Sequence, residues 1–190
     1  VEALRVNFVG ELGWELHHPI EMQNYLFDEL FRIGVDYELK PFGIRAMDSL
    51  RLEKSYRLIP REMSIEYSAL ESGLDRFVKL DKEEDFFGKS GLIDWQRKGF
   101  KNSFVTLEVF DIDDADARGS EAIYCDGHVV GRATSGGYGF RTKKSLALGL
   151  VKPEFSSLET ELEIEILGKK YAARVVPESP FDPKNISLKG

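Results

Sequence analysis

Residues 10 to 15 read GELGWE, and thirty positions past the second glutamate the chain reads GIRAMDSLRLEK. A carboxylate accepts two parallel N–H bonds from any guanidinium-like edge, and such charge-assisted pairs give both affinity and orientation. A guanidinium offers the complementary fork to an anionic group. Glu15 and Arg45 are therefore the candidate ligand-binding residues. Alternation places Glu15 on one strand face with Glu11, Gly13 and His17, while Leu12, Trp14 and Leu16 are expected to fill core on the other. The residues by themselves leave a second arrangement open, and pattern alone favours it: Glu15 solvated, and Arg45 paired with Asp48 three positions on along its own helix.

The elements that would position these groups follow from periodicity. Residues 3–9 and 12–18 alternate over short runs punctuated by Gly10 and Gly13, which predicts two paired strands. In EMQNYLFDELFRIG, Met22, Tyr25, Leu26, Leu30 and Ile33 recur at helical spacing between Pro19 and Gly34. A second helix, RAMDSLRLEK, follows Pro41 and Gly43, with Ala46, Met47 and Leu50 on one face. Residues 56–75 have no clear period, residues 76–80 read as a strand, and residues 89–99 read as a short helix ending on Gly99. From Ser103 the texture changes to strand after strand, with turns expected at Asp126-Gly127, Gly136-Gly137 and Gly168-Lys169, which favours a small antiparallel barrel or sandwich. The fold class is α+β. The expected boundaries are 1–80 for the α+β portion, 81–99 for a connecting segment, 100–184 for a barrel and 185–190 for a tail.

Composition excludes several classes. Of the 190 residues, 33 are acidic and 26 basic, giving −7, so a basic nucleic-acid face is not expected. The single cysteine, Cys125, supports neither an internal disulfide nor a zinc or iron–sulfur centre, and a reducing compartment fits. No apolar run reaches the ~18 residues of a membrane helix. FFGKSG lacks the glycine a phosphate loop needs, since position 83 is glutamate, and GGYGF lacks the dinucleotide spacing, which leaves Tyr138 as a hairpin packing residue. His17 and His18 point to opposite faces of a strand and cannot chelate one ion together; no metal site is expected. Serine, histidine and aspartate are present, but no G-x-S-x-G elbow is. The chain opens at Val1 in mid-pattern, which predicts a piece of a longer polypeptide whose remainder holds half of any active site.

GELGWELHHP, PFGIRAMDSLRLEKSYRL, ALESGLD, DFFGKSGL, YCDGHVVGRATSGGYG, SLALGLV and SPFDPKN, in that order, resemble the aminomethyltransferase (glycine-cleavage T-protein) superfamily. Within it the chain looks most like the folate-binding C-terminal region of the sarcosine and dimethylglycine dehydrogenases. The resemblance implies the end of a folate-binding transferase domain followed by a small antiparallel β-barrel. It also implies a tetrahydrofolate site in which Glu15 grips the 2-amino and N3 hydrogens of the pterin and Arg45 is a ligand contact. The reaction implied passes a one-carbon unit from an N-methylglycine-type substrate to N5 of tetrahydrofolate, a step that depends on proximity and on excluding water. The family's acid/base aspartate lies upstream of these residues, so no catalytic residue is assigned. FAD is expected only in an N-terminal region outside this chain, and the rest of that polypeptide is the expected partner. Bacterial cytoplasm or mitochondrial matrix is the expected compartment. A glycine-cleavage T-protein and a noncatalytic folate-binding or interaction module are the alternatives. LEKS stands where T-proteins carry LEAG, Ser55 stands where glycine is common, and the absence of a cysteine after the arginine helix argues against the iron–sulfur assembly branch.

Overall fold

The computed structural model describes residues 1–189. Two short strands, β1 (Glu2–Leu4) and β2 (Glu15–His17), pair antiparallel with Ala3 opposite Leu16. Helix α1 (Gln23–Gly34) follows Pro19 and a single 3-10 turn, and α2 (Ile44–Leu52) starts after Gly43. After a long polar segment comes α3 (Lys89–Lys98), closed by Gly99 with φ +83°, where a side chain would be strained. The remaining strands are β3 (Ser103–Val109), β4 (Ala122–Cys125), β5 (His128–Gly139), β6 (Lys144–Val151), β7 (Glu161–Ile166) and β8 (Lys169–Val176). They close into an antiparallel barrel in the order β3-β6-β5-β4-β7-β8. A short helix, α4 (Ile186–Lys189), ends the described chain.

The α+β order and the barrel match expectation, and four local readings are corrected. The strands expected over 3–9 and 12–18 are only Glu2–Leu4 and Glu15–His17, which leaves Glu11, Leu12, Gly13 and Trp14 outside β2. Residues 76–80 are not a strand: Asp75–Phe77 is a 3-10 turn. Gly136-Gly137 is not a turn but lies inside β5, which runs on to Gly139. A Cβ on Gly136 would sit 2.5 Å from the Ala117 carbonyl oxygen, so close backbone approach, rather than chain reversal, requires this glycine. Leu12 and Trp14 do not fill core; Trp14 is 60% exposed.

The core sits in the barrel. Val105, Leu107, Val109, Ile123, Ile164, Ile166 and Val175 form one buried cluster, as period-two alternation predicts for a sheet closed on itself. β6 departs from simple alternation because both of its faces are covered. Ala147 and Val151 join the barrel cluster. Leu146, Leu148 and Leu150, on the opposite face, are equally buried, and α2 packs across β5 and β6 on the outside. The barrel thus presents an apolar outer wall on which the helix carrying Arg45 rests.

Candidate functional site

Glu15 closes the GELGWE motif at the start of β2, and its side chain is exposed. Its one polar partner is His17, with Nε2 at 3.3 Å from Oε2 across the same strand face. Arg45, in the first turn of α2, is also exposed. Asp48 does not pair with it, because Arg51 takes that carboxylate at 2.7 Å. Arg45 makes no ion pair among the described residues. Neither residue lines the cavity of about 760 Å³ beside α3, bounded by Glu71, Trp95 and Asn102, or that of about 440 Å³ on the barrel wall, bounded by Phe110, Tyr124 and Arg174. The two candidate side chains are presented outward.

What surrounds them is a buried polar joint built from the motifs themselves. RLEKSYR, at the end of α2, buries Arg51, Glu53, Lys54, Ser55 and Arg57. Charges of this kind persist in a protein interior only when paired and hydrogen-bonded. Arg51 donates to Asp48, to the Tyr56 carbonyl and to Ser135 Oγ. Glu62, fully buried, accepts from the Leu58 amide, Thr134 and Ser135. A bulge in β5 between Ala133 and Ser135 lets both adjacent hydroxyls meet that one carboxylate. Arg57 binds both oxygens of Glu178 at 2.8 and 2.9 Å and lies 3.7 Å over the Phe104 ring.

Ser55 takes φ +55°, the left-handed conformation that ends a helix and that glycine adopts most easily. Serine is retained there with its hydroxyl 2.8 Å from Thr106 on β3 and accepting the Ser179 amide. Ser55 therefore ties the helix end to both the barrel and the chain's last segment.

Lys54 reaches the same segment, donating to the carbonyls of Phe181 and Asp182 and to Asn185 Oδ1. Burial pulls its pKa below the ordinary lysine value, partly offset by Asp182 and Glu11. Gly10 makes this possible: it has φ +78°, and a Cβ there would lie 2.6 Å from the Lys54 side chain. Asn7 Oδ1 accepts the Gly10 amide, so the loop before β2 is wound tightly over Lys54.

Sequence reasoning singled out the second glutamate of GELGWE and passed over the first. Glu11 is bound by Arg141 at 2.7 Å, and Arg141 also holds Glu53 through Nε at 2.6 Å. The two glutamates of one motif have different work: Glu11 faces the protein and Glu15 faces outward. β2 begins only at Glu15, so the strand face on which the sequence placed both glutamates does not extend to Glu11, and the separation of 130 positions between Glu11 and Arg141 hides their pairing.

A family profile described as the GCVT N-terminal domain matches residues 1–82, and one described as the glycine cleavage T-protein C-terminal barrel domain matches residues 102–182. Human mitochondrial dimethylglycine dehydrogenase is 42% identical over 94% of this chain and 20% of its own length. Mouse mitochondrial sarcosine dehydrogenase is 35% identical over 100% of this chain and 21% of its own. The crystal structure of glycine cleavage system aminomethyltransferase T from Bartonella henselae superposes with a TM-score of 0.84 at 26% identity, covering 95% of this chain and 49% of that one. The chain thus spans about a fifth of the dehydrogenases and about half of the solved transferase. With both profiles matching in order and the barrel and joint in place, the chain belongs to the glycine-cleavage T-protein (aminomethyltransferase) family.

Proposed function

We propose that these residues form the tetrahydrofolate-binding tail of a sarcosine- or dimethylglycine-dehydrogenase-like enzyme that transfers a one-carbon unit from an N-methylglycine to the folate. The observation that carries this reading is the division of labour in GELGWE. Glu11 is consumed by Arg141, whereas Glu15 keeps a solvent-facing carboxylate with only His17 beside it. A carboxylate so placed fits the 2-amino and N3 hydrogens of a pterin, which match its two oxygens in spacing and polarity. Arg45, left without an ion pair because Asp48 is taken by Arg51, supplies a fork for an anionic or carbonyl group of the same ligand.

Tetrahydrofolate, when bound, contributes the N5 amine that accepts the one-carbon unit. The chain's part is to hold and orient the ring, and to exclude water with the help of the rest of the polypeptide, so that the transferred carbon does not escape as formaldehyde. The upstream acid/base aspartate and any FAD belong to that remainder. So does the cover for Trp14 and the apolar side of α1. The names of the two dehydrogenases, both mitochondrial, and the identity to them favour an N-methylated glycine as substrate and a mitochondrial setting. Among the described residues no helix is long and apolar enough to cross a membrane.

The fold match to an aminomethyltransferase favours a second reading, a glycine-cleavage T-protein. Calorimetric titration of the full polypeptide with tetrahydrofolate, followed by turnover with sarcosine and dimethylglycine, separates them. Binding with methylene transfer from these amines is expected. Binding without turnover on either amine favours the T-protein or a noncatalytic module, and no binding removes the folate assignment.

A further inference from the structure

Arg141 lies in the turn between β5 and β6, outside both elements that carry the candidate ligand contacts, yet it touches both. Its Nη1 donates to Glu11 Oε1 at 2.7 Å, and its Nη2 donates to the Val9 carbonyl at 3.1 Å. These two acceptors sit in the loop that runs directly into Glu15. The same Nη2 donates to the Leu50 carbonyl at 3.1 Å, and Nε donates to Glu53 Oε2 at 2.6 Å. Those two acceptors belong to the helix of Arg45 and its end. Four of the five guanidinium hydrogens are thereby assigned, two to each side.

The arginine is itself fixed. Its own amide and that of Thr142 both donate to Glu53 Oε1, at 2.7 and 2.8 Å, and its guanidinium lies 3.6 Å over the Phe181 ring. Glu53 is fully buried, so this contact operates where water does not compete. A planar fork of this kind fixes direction as well as charge, which a lysine ammonium does not.

Resting on the assignment of Glu15 and Arg45 as folate contacts, we propose that Arg141 is a positioning residue of the folate site, a barrel-borne clamp that sets the distance and angle between the loop leading to Glu15 and the helix of Arg45. The barrel would then act on the ligand through this side chain. A charge-assisted hydrogen bond contributes about 1.5 to 3 kcal/mol and depends on geometry, so loosening the clamp has a measurable effect on affinity.

A double-mutant cycle on tetrahydrofolate affinity in the full polypeptide tests this, with affinity referred to the folded, binding-competent fraction. Arg141→Lys keeps the charge and loses the fork. It is expected to weaken binding about tenfold when Glu15 is present and less than about twofold in a Glu15→Gln background, because the clamp acts through Glu15. A merely structural role would lower thermal stability and leave the affinity of the folded fraction unchanged. If Arg141→Lys does not fold, Glu11→Gln, which removes only the partly exposed partner, is expected to show a smaller loss of about threefold with the same dependence on Glu15. Equal losses in both backgrounds, or no loss with Glu15 present, overturn the positioning role. Glu15→Gln binding as tightly as the unmodified protein removes the route by which Arg141 acts. Failure of the unmodified polypeptide to bind tetrahydrofolate overturns the folate assignment itself.

Discussion

The barrel with its joint and the N-terminal hairpin with α1 both mix apolar and charged residues, and they use them in opposite ways. Around the barrel the inward-facing apolar side chains all find cover, with Val129, Phe140, Leu158 and Leu167 left exposed on the outside and at the turns, and even the charges of RLEKSYR are buried, each with named partners. In the N-terminal region Tyr25, Phe27, Ile33, Val35, Tyr37, Phe42 and Ile44 are all more than half exposed. An amphipathic helix gains its stability mainly by burying its apolar stripe, so an uncovered stripe marks a surface whose partner lies elsewhere in the folded protein. One region buries its own core; the other leaves its apolar side chains exposed and is tied to the rest through Glu11 and the contacts of Arg5 and Leu12 with the last residues of the described chain.

The largest effect that would break this contrast is in the joint. Glu53→Ala leaves Arg141 and two backbone amides facing a buried, unpaired position, which costs about 3 to 5 kcal/mol. Chemical denaturation of residues 1–190 checks it, and a loss below about 1 kcal/mol, the range of exposed ion pairs, would mean the joint is not what holds the two regions together.

Trp14→Ala sharpens the contrast at intermediate size. In residues 1–190 alone, where the ring is 60% exposed, the change is expected to stay within about 0.5 kcal/mol, as for other surface substitutions. In the full polypeptide the same change is expected to cost about 3 to 5 kcal/mol, the cost of removing a buried tryptophan. Equal small effects in both would mean the apolar face has no cover.

The smallest effect concerns pH. Asp182 accepts the Ile186 and Ser187 amides at 2.9 Å, and these bonds, the Ile186 amide foremost, hold its carboxyl below the ordinary aspartate value. Its folded-state pKa is depressed, so its stabilisation is present above the unfolded value and is lost as pH falls through the folded one. Melting temperatures followed downward from about pH 6 should fall less steeply for Asp182→Asn than for the unmodified chain. Parallel curves would remove Asp182 as a contributor to the acid limb.

Legibility in the sequence followed the same division. The barrel strands and both N-terminal helices were readable, because period-two alternation, Asp126-Gly127 and the stop at Gly34 are local signals. Residues 56–75 were not readable, since their order comes from buried charges: Arg57, Glu62 and Glu71 take partners in residues 101–178 and impose no period. Gly136-Gly137 misled because a glycine required by a remote neighbour looks, locally, the same as one required by a turn. Trp14 misled because the strand begins only at Glu15, so the alternation read over residues 12–18 fixes no face for Leu12 or Trp14. Glu15 and Arg45 were singled out by residue type and family resemblance, while Glu11, Glu53 and Arg141, which hold the elements carrying them, are joined only in three dimensions.

The most direct test of the central claim compares tetrahydrofolate with an analogue lacking the pterin 2-amino group, titrated into the full polypeptide with Glu15 intact and with Glu15→Gln. A hydrogen bond to a charged group contributes about 1.5 to 3 kcal/mol, so the unmodified protein should prefer the natural ring by about 10-fold or more, and Glu15→Gln should lose most of that preference. The same preference in both proteins would place the pterin away from Glu15 and contradict the account.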